Sequence, residues 1–440
     1  MKIKIVKKDY GEVVATKPSP REKPQRPDML FRTLLKLVSL PDLIATGFTC
    51  KSVGMEKIGK KEPCLFLMNH SSFIDLEIVS SVLYPRSFNI VATNDCFIGK
   101  SALMHHIGCI PTAKFAFDLQ LVRDMNYAIK KLSSSVVLYP EASYSFDGTA
   151  TALPDTVGKC VKMLGVPVVM IRTYGAFARD PLYNNLQRRR VKVSAVQECV
   201  FTKEEVERLS ADEIQKRLNE LFTFDHFRWQ AENSVEINEP FRADYLNRVL
   251  YKCPHCLAEG RTVGKGETLK CTCCGKEYRL TELGRLEALS GDTAFEYVSD
   301  WYAWEREQVR KEIIEGSYRV ELPVDICMTI DTKKLYSVGE GKLLHNAEGF
   351  ELTGCGGRLN YSRKVSASYS LYSDYNWYEV GDMVCIGDAG TLYYCFPKVK
   401  GDIVAKMRLA AEEMYKIERE RTLSRRISRA QQTQAEVLSN

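Results

Sequence analysis

The sequence predicts an α/β domain in which helices cover a mainly parallel sheet, followed by a small cysteine-rich module and a β-rich domain. Three observations predict this order. Short apolar strands alternate with amphipathic helical segments from Cys64 to about Val200. Two cysteine pairs follow between residues 253 and 274. After residue 318 the apolar pattern changes to the period of two that is typical of antiparallel strands.

The chain of 440 residues is longer than one ordinary hydrophobic core supports, so several domains are expected. Hydrophobic residues make up 45% and charged residues 27% of the chain, which is the composition of a globular protein. We predict five parts in order: a charged lead-in (1–27), the α/β domain (28–245), the cysteine module (246–285), a helical linker (286–318) and the β-rich domain with a C-terminal helix (319–440).

Several features predict a cytoplasmic protein. The first residues, MKIKIVKKDYGEV, lack the apolar centre of a secretory signal, and no stretch of about 18 uninterrupted apolar residues could span a membrane. Many of the fifteen cysteines stand alone within apolar segments, which is typical of reduced thiols. The formal net charge of +6 is concentrated towards both ends and would favour an anionic membrane surface as a partner.

An amphipathic helix is predicted for residues 29–49, after a proline-rich extended lead-in. Leucines and a valine between residues 30 and 38 make an apolar face, and Pro41 is expected to break or restart the helix. Two interpretations remain open. The helix attaches the protein peripherally to the cytoplasmic face of a membrane, or it packs on the domain behind it.

The segment LFLMNHSSFIDLEIV, residues 65–79, contains the most informative pair of side chains. On one continuous helix His70 and Asp75 would lie on different faces, so they can meet only if His70 precedes the helix and Asp75 lies in its first turn. A carboxylate placed there would hold the imidazole tautomer and leave the other ring nitrogen to act as a base. Alternatively, Ser72 and Asp75 form a capping box and Asp75 only caps the helix.

Two further strands end in charged residues. The apolar strand from Ser135 ends in Pro140-Glu141, and a strand end in such a sheet is where ligand sites gather. Glu141 would therefore lie beside His70 if the two strands are neighbours; otherwise it is a loop residue that caps the next element. The strand VPVVMIR ends in Arg172, which is expected to be an ion-pair partner or an anion ligand.

Together these segments resemble the glycerolipid acyltransferases, the family of lysophosphatidate (1-acylglycerol-3-phosphate) acyltransferases. That family has Asn-His-four residues-Asp, a Gly…Arg block, Phe-Pro-Glu-Gly-Thr-Arg and a Val-Pro-Val strand. The matching segments here are MNHSSFID, FIGKSALMHHIGCIPTAKF (97–115), LYPEASYS (138–145) and GVPVVMI (165–171). The order and spacings agree, and the resemblance covers roughly residues 29–200.

The resemblance implies transfer of a fatty acyl group from an acyl thioester, either acyl-CoA or acyl carrier protein (acyl-ACP), to the hydroxyl of a lysophospholipid in phospholipid biosynthesis. The first candidate acceptor is 1-acylglycerol-3-phosphate. This implies the catalytic residues His70, Asp75 and Glu141, and the substrate-binding residues Asn69, Lys114, Ala142, Ser143 and Arg172. No metal is required for this chemistry.

The chain also departs from the family pattern. Lys114 stands where the second motif has an arginine, and Ala142-Ser143-Tyr144 stand where the third has Gly-Thr-Arg. Both family arginines are thought to hold the substrate phosphate, so the acceptor headgroup stays open. An alternative hypothesis follows from this loss: a catalytically idle lipid-binding or scaffold protein on the same fold.

The cysteine pairs Cys253-Pro-His-Cys256 and Cys271-Thr-Cys-Cys274, with fourteen residues between them, are typical of a zinc ribbon. We predict that Cys253, Cys256, Cys271 and Cys274 hold a structural Zn²⁺, since four sulfur ligands leave no open position for catalysis. Cys273 and His255 are spare donors in the same segment.

The β-rich domain is predicted to be a small barrel or sandwich of pleckstrin-homology type, with a final helix from Ile403 to about Glu420. It contains no recognisable catalytic constellation, so a binding or scaffolding role is expected. Nucleic acid is not expected as a partner, because no run of Lys and Arg with interleaved aromatic residues occurs in the zinc ribbon.

Overall fold

The segment before the α/β domain is extended only in part: residues 17–28 form no helix or strand, whereas the residues before them include a short strand and a short helix. The computed structural model describes residues 3–115, 118–388, 390–399 and 402–439, with side chains described up to residue 425. Strand β1 (Ile5–Lys7) pairs in parallel with a strand at residues 335–337, and helix α1 (Tyr10–Val14) follows. Further along, the Arg21 guanidinium binds the carboxylates of Asp118 and Asp124. Arg21 of the charged lead-in thus contacts residues about 100 positions away, which local sequence does not reveal.

Helix α2 (Met29–Ala45) continues through Pro41, so the break predicted there was wrong. A proline inside a helix removes one backbone hydrogen bond and crowds the preceding turn. Here the helix is held from outside, because it packs along the helix that follows His70 and buries Ser39 and Leu43.

Strands and helices then alternate between residues 49 and 201, as predicted. They are β2 (Thr49–Val53), β3 (Leu65–Met68), α3 (Ile74–Val82), β4 (Phe88–Thr93), α4 (Ser101–His106), β5 (Cys109–Thr112), α5 (Leu119–Lys130), β6 (Ser135–Leu138), α6 (Val157–Leu164), β7 (Val168–Tyr174), α7 (Ala176–Arg179) and β8 (Ser194–Phe201).

The eight-residue strand β8 makes this sheet mixed rather than purely parallel. The order is β2-β8-β7-β3-β6-β4-β5. Within the described residues every neighbouring pair is parallel except β7 and β8. Strands β3 and β6 are neighbours, with Leu65 opposite Val136, so the segments that follow these two strands meet at the same edge of the sheet. The prediction of an α/β domain with a mainly parallel sheet is confirmed.

Strand β3 shows why its sequence is an uninterrupted apolar run. Leu65 and Leu67 pack into the core on one face of the sheet, while Phe66 and Met68 pack into the core on the other face. Because helices cover both faces, no position on this strand contacts water, and all four side chains are fully buried.

Three helices follow β8: α8 (Lys203–Arg208), α9 (Ala211–Phe222) and α10 (His226–Glu232). Thr202 forms a capping box with Glu205, and Ser210 forms a second box with Glu213. Each box begins a new helix, which explains the division.

The cysteine module is a four-stranded antiparallel sheet in the order β12-β11-β10-β9. Its strands are β9 (Thr262–Lys265), β10 (Thr268–Cys271), β11 (Glu277–Leu280) and β12 (Leu286–Ala288). Helix α11 (Val298–Ile314) follows. A helical linker was predicted at residues 286–318, and its first part was wrong: residues 286–288 form a strand that pairs with β11.

A C-terminal antiparallel sheet follows, in the order β16-β15-β14-β13-β19-β18-β17, with β1 added beside β14. Its strands are β13 (Val320–Thr329), β14 (Leu335–Asn346), β15 (Gly349–Gly354), β16 (Leu359–Lys364), β17 (Tyr372–Trp377), β18 (Gly381–Gly387) and β19 (Leu392–Pro397). Helix α12 (Ile403–Ser439) is longer than the predicted helix, which ended near Glu420.

The C-terminal sheet packs on the edge of the mixed sheet where β4, β5 and β6 end. Ala113 and Phe115, just after β5, share a hydrophobic cluster with Tyr372, Trp377 and Tyr394. The Tyr372 hydroxyl donates to the Asp95 carboxylate at 3.1 Å, after β4. Because the loops after β3 and β6 leave the same edge, the β-rich part borders the segment that carries His70.

The helices in the described part of the chain include none with both the length and the apolar character that a membrane-spanning segment requires.

Candidate active site

His70 and Asp75 meet in the turn between β3 and α3. The Nδ1 atom of His70 lies 3.0 Å from Oδ2 of Asp75. A carboxylate can only accept here, so Nδ1 carries the proton and the opposite nitrogen, Nε2, is the basic one. The side chain of Asp75 is 1% exposed and that of His70 is 18% exposed. Asp75 is therefore buried, whereas part of the His70 imidazole is accessible to solvent.

Asp75 both holds the histidine and fixes the turn before the helix. Its Oδ2 also accepts from the backbone N–H groups of Ser71 at 2.7 Å and Ser72 at 3.1 Å. The Ser72 hydroxyl does not accept from the Asp75 N–H, so the reciprocal capping box is not formed. The alternative in which Asp75 only caps the helix leaves its contact with His70 unexplained.

Glu141 follows β6 and ties two loops together. Its Oε1 accepts from the His70 backbone N–H at 3.0 Å, and its Oε2 accepts from the Thr151 N–H at 2.7 Å. Burial raises the pKa of Glu141 to about 8, against the opposing effect of these two backbone amides. This carboxyl group braces the loops through backbone contacts and is 2% exposed.

Asn69 is a buried link between β3 and β7. Its Oδ1 accepts from the Thr173 backbone N–H at 2.8 Å, and its Nδ2 donates to the hydroxyls of Thr173 and Ser71, each at 3.0 Å. These bonds use the polar atoms of the amide within the protein. The residue predicted to bind substrate therefore sets the position of the His70 turn.

Two tyrosines enclose the imidazole of His70. The Tyr139 ring is stacked on it with centroids 4.2 Å apart, and the Tyr144 ring is tilted at the same centroid distance. Burial lowers the pKa of His70 below its ordinary 6.5; Asp75 acts against this and Lys114 acts with it. The histidine is therefore neutral, and able to accept a proton, at neutral pH.

The remaining predicted substrate-binding residues lie in different surroundings. The Lys114 ammonium lies over the Tyr372 ring, 4.3 Å from its centroid, and its charge acts on His70. The Arg172 guanidinium donates to the Leu221 carbonyl at the end of α9. Ala142 has φ of +57°, a left-handed conformation that favours glycine, and its N–H donates to the Tyr139 carbonyl at 3.0 Å. The Ser143 hydroxyl accepts from an arginine of α12.

Several residues at the site were missed as site residues. Tyr139 and Tyr144 lie within the third motif segment, where Tyr139 directly precedes Pro140-Glu141 and Tyr144 stands at the position of the family arginine, so their rings could have been suspected from that segment. His226 begins α10, and its Nε2 lies 3.4 Å from the Ser71 hydroxyl. Burial lowers the pKa of His226 to about 3, so it is a neutral neighbour of the turn. Arg408, in α12, has no local signal that links it to Ser143.

The four predicted metal ligands come together at the base of the cysteine module. The Sγ atoms of Cys253, Cys256, Cys271 and Cys274 all lie within 4.8 Å of one another, so the cluster could hold a metal ion. The spare donors Cys273 and His255 are not part of this cluster.

Comparison with known proteins agrees with the site. Residues 50–173 match the family model described as Acyltransferase, and this segment contains His70, Asp75, Lys114, Glu141 and Arg172. The chain therefore carries an acyltransferase domain, in agreement with the resemblance that its motifs indicate. No curated protein matches the chain.

Among solved structures, the chain is similar to the crystal structure of the 1-acyl-sn-glycerophosphate (LPA) acyltransferase PlsC from Thermotoga maritima. The two chains are 17% identical, with a TM-score of 0.35, over 43% of this chain and 76% of that chain.

Proposed function

We propose that the protein is an O-acyltransferase that moves a fatty acyl group from acyl-CoA or acyl-ACP to the hydroxyl of a lysophospholipid in phospholipid biosynthesis. The observation that carries this proposal is the 3.0 Å contact between His70 Nδ1 and Asp75 Oδ2 within a matched acyltransferase segment. An alcohol is a weak nucleophile at neutral pH and needs a base, and this pair supplies one.

In the proposed reaction, His70 Nε2 takes the proton of the acceptor hydroxyl while its oxygen attacks the thioester carbonyl carbon. The tetrahedral intermediate collapses with cleavage of the C–S bond, and the imidazolium returns its proton to the leaving thiolate. Asp75 holds the tautomer and stabilises the imidazolium, as the acid of a catalytic triad does when the nucleophile belongs to the substrate.

The thioester oxygen gains negative charge in the intermediate and requires hydrogen-bond donors. The Ala142 N–H is already bonded to the Tyr139 carbonyl. We therefore assign this role to the Ser143 backbone N–H, which makes no hydrogen bond within the described part of the chain. Glu141 positions the loop that carries it.

For the acceptor headgroup, Lys114 is the better supported of the two predicted cations. Its charge acts on the His70 ring, whereas the Arg172 guanidinium is occupied by the Leu221 carbonyl. A single ammonium can bind a phosphate as a point charge without the bidentate geometry of arginine. The acceptor 1-acylglycerol-3-phosphate therefore stays the first lysolipid to test, with Lys114 as its phosphate ligand.

We propose that α2 attaches the protein peripherally to the cytoplasmic face of an anionic membrane. Leu30, Leu34, Leu37 and Val38 expose more than half of their surface. Directly before the neighbouring helix α3, Phe73 is 61% exposed and its ring centroid lies 5.9 Å from that of Tyr144, which contacts His70. An apolar surface thus leads from α2 towards the site, as a lipid substrate requires.

We propose a structural Zn²⁺ for the cysteine cluster. Four thiolates about 2.3 Å from a central zinc lie about 3.8 Å from one another. The Cys253–Cys274 and Cys256–Cys271 sulfur distances are 3.8 Å and 3.7 Å. Zinc would supply folding free energy to a small module, and the reaction does not pass through it. We assign this module to the zinc ribbons.

We also propose a pleckstrin-homology-type fold for the β-rich domain. Its first four strands and its last three strands are each consecutive neighbours, β13 pairs with β19, and a helix follows. Such a domain is expected to bind or scaffold.

The test is release of free thiol from long-chain acyl-CoA and acyl-ACP, measured with a panel of lysolipids. We expect acceptor-dependent release by the wild-type protein and loss of about 2–4 orders of magnitude in His70→Ala. If no thiol is released with any donor and the protein nevertheless binds lipid tightly, the result would instead support the catalytically idle lipid-binding protein.

Membrane attachment is tested separately by sedimentation with anionic vesicles. Val38→Asp should weaken sedimentation, because Val38 is 70% exposed on α2. Val263→Asp is the matched control, since Val263 is 48% exposed on the cysteine module. Equal sedimentation of both variants and the wild type would exclude α2 as the anchor.

A further inference from the structure

An arginine from the C-terminal helix is buried against the loop that follows β6. Arg408 of α12 is 3% exposed. Its Nη1 donates to the Ser143 hydroxyl at 2.9 Å, and its Nη2 donates to the Thr151 hydroxyl at 3.0 Å. Its guanidinium carbon lies 4.2 Å from the centre of the Phe146 ring. Three residues of one loop are therefore held by one side chain that lies 257 to 265 positions away in sequence.

The orientation of this guanidinium is fixed from its other side. Nε of Arg408 donates to Glu412 at 3.2 Å, and Glu412 also pairs with Arg306 of α11 at 2.7 Å and accepts from the Ser370 hydroxyl at 2.7 Å. Burial acts to raise the pKa of Glu412, but Arg306 and Arg408 together hold it at about 2. The acid is thus ionised, and the buried arginine is paired, as a charge removed from water requires.

The two oxygens that Arg408 binds stand at both ends of the loop that shapes the active site. Ser143 adjoins Tyr144, whose ring contacts His70. Thr151 donates its backbone N–H to Glu141, and Glu141 accepts from the His70 backbone N–H. A shift of either end would therefore move a group that touches His70.

We propose that Arg408 is a positioning residue for acyl transfer, and that α12 thereby completes the active site of the acyltransferase domain. The arginine touches neither the reacting atoms nor His70. It fixes the distance between Ser143 and Thr151 and so the placement of Tyr144 and Glu141. The catalytic consequence rests on the proposed function. The contacts of Arg408 with Ser143 and Thr151, which we call the clamp, can be tested without it.

The test compares Arg408→Lys with Arg310→Lys. Lysine at 408 keeps the positive charge beside Glu412, but it cannot donate to both loop hydroxyls from a planar fork. Arg310 of α11 pairs with Glu413 at 3.0 Å and with Glu420 at 3.1 Å on α12, and none of its hydrogen bonds or ion pairs among the described residues reaches the loop. It is therefore the matched control for changes in α11–α12 packing.

We expect Arg408→Lys to lower kcat about 10- to 100-fold while the KM for acyl-CoA changes less than about threefold, because misplacement of a reacting geometry acts on the chemical step. Arg310→Lys should keep the wild-type kcat. If both variants lose kcat in proportion to their loss of thermal stability, the role of Arg408 is structural only, and the proposal is overturned.

Amide hydrogen exchange provides the readout that does not depend on activity. The backbone N–H groups of His70 and Thr151 should exchange at least about tenfold faster in Arg408→Lys than in the wild type, and unchanged in Arg310→Lys. Unchanged exchange at both amides would refute the clamp. A wild-type protein without thiol release would refute the proposed function, and the exchange result would still decide the clamp.

Should Arg408→Lys fail to fold, Ser143→Ala removes only one accepting oxygen. It should reproduce the kcat loss in part, and wild-type kcat and exchange in that variant would equally overturn the proposal.

Discussion

Replacing Asp75 with asparagine removes the negative charge of the side chain and keeps its shape. The Asp75 carboxylate accepts three hydrogen bonds through Oδ2, from His70 Nδ1 and from the N–H groups of Ser71 and Ser72. An asparagine oxygen at the same place could still accept from these groups, so the turn before α3 should persist. What disappears is the negative charge 3.0 Å from the imidazole.

The size of the effect follows from this distance. Two unit charges 3.0 Å apart attract by about 5 kcal/mol at an effective dielectric constant of 20. Delocalisation over the carboxylate and the ring reduces this, so a loss of about 3–5 kcal/mol of imidazolium stabilisation is expected. Since about 1.4 kcal/mol corresponds to a factor of ten in rate, kcat should fall about 10²- to 10⁴-fold in Asp75→Asn.

The assay is steady-state thiol release from acyl-CoA with a saturating lysolipid acceptor, followed from pH 5 to pH 8. Asp75 acts to raise the pKa of His70, so its loss should also move the acidic limb of the pH–rate profile to lower pH. Glu77→Gln, compared at pH 8, is the control. Burial raises the pKa of Glu77 to about 7, so at pH 8 this carboxylate is mostly ionised on the same helix, two residues further along.

Two results would refute this reasoning. One is a folded Asp75→Asn protein whose kcat remains within about threefold of the wild type. The other is an equal loss of kcat at pH 8 in Glu77→Gln, which would show that any carboxylate on α3 matters and that the contact with His70 does not.

Three further outcomes are expected. Because burial lowers the pKa of His70 below 6.5, kcat/KM of the wild-type protein should stay level down to about pH 6.5 and fall only below it; a midpoint above 7 would contradict this. The pKa of Glu412 is about 2 in the folded protein against 4.5 ordinarily, so its contribution of about 3 kcal/mol to stability should be present above pH 4.5 and lost as pH falls towards 2. The difference in melting temperature between the wild type and Glu412→Gln should therefore become smaller as the pH falls from 4.5 towards 2. A difference that stays constant over this range would contradict the prediction. Removal of metal with a strong chelator should lower the melting temperature and release about one zinc per chain, measured by elemental analysis; a protein that contains no zinc would refute the assignment.

Much of the α/β domain could be predicted because its signals are local. The apolar run of β3 records burial on both faces of a sheet, and the spacing of His70 and Asp75 allows contact only across a turn into a helix. The cysteine pairs behave in the same way, since each pair needs only one tight turn to bring two sulfur atoms together.

The parts that could not be predicted depend on contacts between distant segments. The MKIKIVKK segment has the charge of a solvated tail, yet residues 5–7 complete a sheet whose other strands begin at residue 320. Helix α2 tolerates Pro41 because another helix supports it. Arg408 has the appearance of an ordinary helix residue, and only the fold brings it to Ser143.

The pairing of β1 with β14 has a consequence for the biosynthesis of the protein. Ile5 pairs with Leu335, and ribosomes add about 5–20 residues per second. The first strand therefore waits roughly 15–70 seconds for its partner, while β2 to β8 have already been released and can assemble. The loop after β6 obtains Arg408 later still. In a nascent chain the mixed sheet can thus be folded while the loop after β6 still lacks Arg408 and β1 is still unpaired. During this interval the chain is most accessible to a chaperone or a protease.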